Sequence, residues 1–550
     1  METDDQLHRE RDEDPTLTKS GIYQIFRQNA EKNKSHPLII YHGRHVSYYN
    51  ILSMVDSMAE SLSKRFSIEK GQNIGIALPL SPQFFISFLA AQKIGAVAVP
   101  LDHGINSHEL EEILSICEIK VLICATTTSL KIGGSAGIRG IILTKLQDFL
   151  PFEKAVLTTS RSGFRKSYSF HESIELGDFN DFIYGPKGEL SDANAENEAA
   201  AAMIFSPSRN GDLSGLIFSS SNIISSARGI SRNLLPAKGR FRIASMLPVF
   251  TTAGFQFSVT LPIFMGGTVI CTFERSNYGR LLRFCSLFDC DYMIASPYDL
   301  NQMLENKVAN QGIRSLKGVF SNSYLLSREV REAFEKNYGI PVIEYYGIPE
   351  LLGVSHMQSA DRSKRKPGGP GLPLSGVEAR IIDESTKDII QSGSRGTLLV
   401  RGPQLMIGYC SGAKDGSEYF IDGFFDSGDL ARVDHDGQYF IEDRKREAIS
   451  SSGILVSPHE IESVIATVEG VKEVAVIGID NGKGNEEITA IISPGKTKAT
   501  SESKLKETCS ILLSPYKRPK RYDFRDELPK SMAGKILKRQ LLEETRSRKS

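Results

Sequence analysis

From Gly71 onward the chain alternates short apolar runs with segments of helical spacing, and no other feature restricts its fold as strongly. Asn73–Leu78 predicts a strand. Ser81–Ile94 predicts a helix, with Ser81 as N-cap and Pro82 at the first helical position. Ala96–Pro100 predicts a second strand, His108–Cys117 a helix and Val121–Ala125 a third strand. Strands that are apolar throughout, each followed by a helix, predict a parallel sheet covered on both faces. The pattern weakens over 126–195, which is rich in Ser, Gly and charge, and resumes from Ala199 to about Pro349.

After Pro367 the texture changes. Glu378–Asp383 and Gly396–Arg401 are short strand-like runs separated by Gly and Asp turns, which predicts a small β-rich unit over about 367–443. A compact segment follows. It reads as helix Pro458–Val468, strands Val474–Ile479 and Glu487–Ile492, and helix Lys504–Leu513. Between these units Asp443–Glu447 carries five charged residues and no apolar anchor, as a hinge would. The expected organisation is a solvated arm at 1–18, a large domain at 19–443, a hinge at 444–446 and a small domain at 447–550. The expected class is α/β: two stacked α/β subdomains plus the β-rich unit, then a mobile α+β domain.

A length of 550 residues exceeds one ordinary domain of roughly 100–200 residues. The 66 basic residues balance 66 acidic ones, which excludes a generally basic nucleic-acid binder and an acidic solvating chain. The last fifty residues are locally basic, with 14 Lys/Arg against 7 Asp/Glu, and so suit an anionic ligand or a solvated surface equally. Seven cysteines, thinly spread and without a Cys-x-x-Cys pair, point to free thiols in a reducing cytosol. Met1–Asp14 lacks the apolar core of a signal peptide. Ile243–Phe273 is uncharged up to its end but is interrupted by Pro248, Gly254, Pro262, Gly266 and Gly267. It therefore predicts a buried helix and strand, not a membrane span.

Gly495-Lys496-Thr497 imitates the end of a P-loop, but the upstream glycine that motif needs falls on Ala490, and no helix opens there. Phe205–Gly215 (FSPSRNGDLSG) is more informative. It joins the apolar run Ala199–Ile204 to Leu216–Ser219, and a turn rich in Ser and Gly can wrap phosphate oxygens with backbone N–H groups. By itself that pattern equally describes a surface hairpin. Three further segments follow in order: Glu344–Glu350 (EYYGIPE), Asp422–Leu430 (DGFFDSGDL) and Leu528–Ile536 (LPKSMAGKI). Gly71–Pro100, Gly396–Tyr409 (GTLLVRGPQLMIGY) and Gly453–Glu462 (GILVSPHEIE) accompany them. Together these resemble the adenylate-forming superfamily of acyl-CoA synthetases, luciferases and peptide-synthetase adenylation domains, from about Gly21 to Leu542.

The resemblance implies ATP-dependent activation of a carboxylic acid to an acyl-adenylate, with Mg2+, followed by thioester formation with coenzyme A. Lys535 then matches the lysine that reaches the carboxylate and α-phosphate. Asp429 matches the ribose-binding aspartate, and Arg444 a ribose or phosphate contact. Tyr346, followed by Gly347, matches the aromatic beside adenine, and Glu350 the magnesium-holding glutamate. Ser206, Arg209, Gly211 and Gly215 fall in the phosphate turn. Arg446 matches the pivot of a domain rotation between the half-reactions, and Gly453 the segment lining the pantetheine path.

The phosphate turn departs from the family pattern. Ser208 stands for a Gly, Arg209 and Asn210 for two Thr, and Ser214 for a Lys. Ser321–Tyr324 replaces a Ser-Gly-Gly-Ala adenine loop, Pro349 a Thr, and Thr251 a common His. Two readings follow: a working ligase with an atypical phosphate turn, or a weak or inactive relative that binds acyl or adenylate ligands or a protein partner. The stretch Ile141–Leu157 resembles an insert of medium- and long-chain fatty acyl-CoA synthetases. A fatty acid is thus the first expected substrate and an aryl acid the second; a carrier-protein phosphopantetheine is the alternative acceptor to coenzyme A. Phe250, Phe255 and Phe257 are candidates for the acyl pocket, with plain core packing as the other explanation. No nucleic-acid partner is expected. The final Arg-Lys-Ser is no peroxisomal address, so the expected location is the cytoplasm.

Overall fold

The fold was analysed in a computed structural model that describes residues 20–105, 107–128, 131–132, 137–151, 169–170, 174–185, 198–207, 213–235, 240–271, 277–310, 313–324, 326–383, 386–390, 393–410, 416–444, 448–495, 500–529 and 536–547. The expected arm at 1–18 and most of the expected hinge lie outside these residues.

The first predicted unit forms as its pattern requires. Ser81 accepts a hydrogen bond from Phe84 N at 3.2 Å, Pro82 opens the helix Pro82–Ile94, and Gly95 closes it in the left-handed region at φ +81°. This helix is apolar on all sides and correspondingly buried, as a core helix must be. It touches the sheet strands Asn73–Ala77 and Val97–Pro100, and Phe88 meets Phe255 edge-on at 5.2 Å. One continuous apolar cluster joins residues of both large sheets around it, including Ile39, Ile74, Val269 and Ala202.

Among the described residues one sheet has eight strands, in the order Gly408–Cys410, Leu213–Ser219, Ala200–Pro207, Val97–Pro100, Asn73–Ala77, Ile119–Ala125, Gly140–Thr144 and Glu175–Asp178. Its centre is parallel, and Ala200–Pro207 runs antiparallel into Leu213–Ser219 as the hairpin that carries the phosphate turn. The other large sheet has nine strands. Its parallel centre places Val342–Tyr346 beside Gly318–Asn322, and it continues through Tyr292–Ile294, Arg242–Ser245, Thr268–Cys271 and Pro37–Tyr41.

Ile243–Phe273 departs in detail from its prediction. A strand, Arg242–Ser245, precedes the helical stretch, which contains a π-turn at Gln256–Thr260 before Pro262. The charge of Arg242 and a length of four residues concealed the strand. Among the described residues no helix is long and apolar enough to cross a membrane.

The β-rich unit pairs Glu378–Ile382, Gly396–Arg401 and Phe424–Val433, with Tyr439–Arg444 added along the last. In the small domain, Val471–Asp480, Glu486–Pro494 and Arg521–Phe524 form a three-stranded sheet. The helices Pro458–Ala466 and Glu502–Leu512 pack on one face of it and Lys538–Ser547 lies against Val471–Asp480. Gly495 follows a strand end directly, and its amide bonds to Gly470 O, which is sheet-edge geometry; Lys496 and Thr497 lie outside the described residues.

Candidate active site between the two domains

A cleft runs between the large and small domains. One wall is built by the end of Val342–Tyr346 and the strand Phe424–Val433. The Tyr346 hydroxyl donates to Asp429 Oδ2 at 2.6 Å, and both residues are 2% exposed. Local turns aim Asp429. Gly428 N donates to Asp426 Oδ1, Asp429 N donates to Ser427 Oγ, and Gly428 sits at φ +71°. The register slips between Thr397 and Leu399 opposite this run, so the DSGD turn is a bulge in the ladder. The same ladder pairs Asp429 with Arg444.

Gly347 continues from Tyr346. A Cβ there would lie 2.4 Å from the Gly353 carbonyl, so this crossing of two backbones admits glycine alone. Asn322 and Tyr324 flank the cleft on the adjacent strand end without filling it. The Ser321 and Ser323 hydroxyls are buried without a hydrogen-bond partner among the described residues, and so is Nε2 of His356. His356 pairs with Tyr346 in the ladder, and its ring lies between Tyr346 and Tyr439. Burial lowers its pKa to about 3, so it is neutral.

Of the phosphate-turn residues, Ser206 lines the cleft, whereas Gly215 lies within the hairpin against Met203 and Cys410, where a Cβ would be 2.8 Å from the Met203 sulfur. Ser214 sits opposite Ser206 in register. Arg209 and Gly211 lie outside the described residues. Glu350 is fully buried behind Pro349, which lines the cleft; its Oε1 accepts from the Tyr409 hydroxyl at 3.0 Å and its carbonyl from Met406 N. Tyr409 belongs to the strand paired with Leu213–Ser219, so it ties Glu350 to the phosphate hairpin.

On the acyl side, Leu247, Phe250 and Ala253 face the cleft. Phe255 and Phe257 do not. Both are fully buried, Phe255 against Phe88 and Phe257 against Phe320 and Tyr345, so core packing accounts for them. Thr251 caps the helix that starts there, accepting from Gly254 N. 

The small domain contributes Ser450, Gly453 and Ile454 from its first hairpin, with Gly453 at φ +72°. Lys535 and Arg446 lie outside the described residues. The segments flanking Lys535 are anchored elsewhere: Leu528 and Ile536 pack with Ile477, Ile491 and Leu541, and neither lines the cleft.

Several residues at this junction were not expected from sequence. Tyr516 stacks on Phe250, with centroids 6.4 Å apart. Burial pushes its pKa well up, aided by the carboxylates of Asp102, Glu109 and Glu460. Burial likewise raises the pKa of Glu460; it disfavours the charge of Lys517, but Glu460 and Glu109 outweigh that and raise the lysine's pKa. No local signal in the sequence marks Glu109, because its partners are 405 residues away.

The AMP-binding enzyme family profile matches residues 26–410, and the AMP-binding enzyme C-terminal domain matches 460–535. The chain belongs to the AMP-binding enzyme family. It is 26% identical over 536 residues to a long-chain-fatty-acid–CoA ligase of Bacillus subtilis, covering 96% of this chain and 95% of that one. It is 25% identical over 554 residues to the corresponding ligase of Escherichia coli O157:H7, covering 97% of each. Among solved structures, a double mutant of o-succinylbenzoate CoA synthetase from Bacillus subtilis, bound to a product analogue, superposes with TM-score 0.78 at 22% identity. That match covers 95% of this chain and 98% of that one.

Proposed function

We propose that this family member is an AMP-forming acid–thiol ligase that converts a carboxylic acid, a fatty acid first, into its coenzyme A thioester. One observation carries the reading: a single cleft holds the Tyr346–Asp429 pair at one wall and the Gly453 hairpin of the other domain at the facing wall. A nucleotide end and a thiol entrance on one cavity are what a two-step transfer through an adenylate requires.

In the first step a carboxylate oxygen bonds to the α-phosphorus and the α–β P–O bond breaks, releasing pyrophosphate. In the second the thiol sulfur bonds to the acyl carbon, its proton is lost, and AMP leaves. Asp429 holds the ribose hydroxyls, oriented by the hydroxyl of Tyr346, whose ring flanks adenine. Arg444, Ser206, Arg209 and Gly211 supply further nucleotide contacts, and Gly215 shapes the hairpin. Lys535 offsets charge on the α-phosphate.

Glu350 is the carboxylate that would hold magnesium; here it is buried behind Pro349 and bonded to the Tyr409 hydroxyl, so it would have to turn from that bond to reach an ion in the cleft. Magnesium would screen the triphosphate charge during attack. Gly453 lines the cleft while Leu528 and Ile536 pack away from it, which supports reading this arrangement as the thiol-transfer pose, with residues 444–446 as the pivot to the other. The domain limits proposed with that pivot are 19–443 and 447–550. The free thiols support a cytosolic location.

The test is acid-dependent exchange of labelled pyrophosphate into ATP, with a panel of fatty and aryl acids, followed by thioester formation on adding coenzyme A. Exchange that disappears in Lys535→Ala supports the ligase. Absence of exchange with every acid, alongside tight binding of an acyl-AMP mimic, overturns it in favour of a binding protein. Ser214 in place of a lysine removes a charge-assisted contact of about 1.5–3 kcal/mol, so exchange one to two decades slower than in lysine-bearing relatives is expected.

A further inference from the structure

Glu109 lies in the first turn of the helix Ser107–Ile116 of the large domain and is 2% exposed. Both its oxygens are engaged by the small domain. Ser514 N donates to Oε1 at 2.9 Å, Ser514 Oγ donates to Oε2 at 2.8 Å, and Lys517 Nζ stands 3.3 Å from Oε1. Lys517 also pairs with Glu460 of its own domain at 2.5 Å. Next to this cluster Phe250 stacks on Tyr516, which closes the contact with an apolar pair.

We propose that Glu109 is a positioning residue for the second half-reaction: its carboxylate is the socket into which Ser514 and Lys517 dock, holding the small domain where Gly453 opens the thiol path. This rests on the ligase reading above. A buried carboxylate is tolerable only while its donors are present, so a partial swing that removed Ser514 and Lys517 before water arrived would be disfavoured. The contact therefore separates docked from undocked states and does not grade between them. A second ion pair across the interface among the described residues, Lys483–Glu305, is solvent-exposed on both sides and adds little selectivity. Glu109 lines the cleft beside Tyr516, Lys517 and Glu460, and both its oxygens are engaged by the small domain, so its influence is on the population of one pose.

The experiment uses the full chain with Glu109→Gln, Ser514→Ala and the double variant. Pyrophosphate exchange reports the first half-reaction, and thioester formation from preformed acyl-adenylate the second. For Glu109→Gln, exchange is expected within about twofold of the parent, while thioester formation falls by about tenfold or more, chiefly in kcat and not in KM for coenzyme A. The double variant is expected to be no slower than the slower single one, because both remove the same contact. Equal losses in both half-reactions, additive losses, or an unaffected second step would overturn the proposal.

Hydrogen–deuterium exchange gives a readout independent of turnover. Glu109→Gln is expected to accelerate exchange in the peptide carrying Ser514 and leave the peptide carrying Asp429 unchanged; unchanged protection at Ser514 refutes the socket. If the parent exchanges no pyrophosphate with any acid, the ligase reading fails, and this measurement still decides the docking contact.

Discussion

Lowering the pH from 7 to 5 should weaken this protein in part through one side chain next to Tyr346. His356 is fully buried, its Nδ1 lies 3.0 Å from Ser355 Oγ, and its ring is enclosed by Tyr346 and Tyr439. Burial holds its pKa at about 3, against 6.5 in an unfolded chain. The folded value is depressed, so the unfolded chain takes up the proton first. The stability contribution is complete above pH 6.5 and is lost as pH falls toward 3. Between pH 7 and 5 that loss is about 2 kcal/mol, and it barely changes if the folded value lies a unit higher, since at pH 5 the native imidazole is still neutral. The assay is denaturant unfolding, followed by circular dichroism, of the protein and His356→Gln at both pH values. The parent should lose about 2 kcal/mol more than the variant over that interval, whatever their absolute difference. In parallel, the 13Cε1 histidine resonance missing from the variant should stay at its neutral position down to pH 5. Equal losses in the two proteins, or a resonance titrating near 6.5, would refute the reasoning.

Removing the hydroxyl in Tyr346→Phe deletes a 2.6 Å donor to Asp429, and hydrogen bonds to charged groups are worth about 1.5–3 kcal/mol; KM for ATP in the exchange assay should rise by about ten- to a hundredfold. Gly347→Ala drives a Cβ into the Gly353 carbonyl and should lower stability by about 1–3 kcal/mol or more, read as a lower unfolding midpoint. Gly453→Leu places a bulky side chain in the cleft at φ +72°. It should suppress thioester formation far more than pyrophosphate exchange, as separate rates will reveal. Phe250→Ala removes both an acyl-side wall residue and the stack on Tyr516, and should raise KM for the preferred acid while slowing the thiol step.

The α/β alternation was legible because its signals are local. Ser81 before Pro82, and Gly95 after Ile94, mark both ends of the buried helix through backbone requirements of a single turn. The strand Gly396–Arg401, and Val474–Ile479 within the longer strand Val471–Asp480, announced themselves by apolar runs. Asp429, Tyr346 and Gly347 were legible as motif positions, and the geometry adds a reason for two of them: the hydroxyl–carboxylate bond and the backbone crossing at Gly353. What stayed hidden depends on contacts distant in sequence. Glu109 looks like an ordinary acidic residue of a surface helix until Ser514 and Lys517 cover it. Phe255 and Phe257 have the composition of pocket-lining residues, yet Phe88 of the core helix and Phe320 of a sheet strand enclose them. His356 carried no signal because its burial follows from the short strand His356–Met357 being flanked by Val342–Tyr346 on one side and Leu372–Pro373 on the other.

If the small domain swings as proposed, the ladder that pairs Asp429 with Arg444 sets where it can turn. Backbone hydrogen bonds fix the strand Tyr439–Arg444 to its neighbour, so the rotation would begin at the end of that strand, directly across from the carboxylate assigned to the sugar. An axis so close to the sugar moves that end of the molecule least and the far rim of the small domain most. The nucleoside would then act as a fulcrum: it stays seated while pyrophosphate departs on one side and a thiol arrives on the other, and the activated acid need never be released between the two reactions.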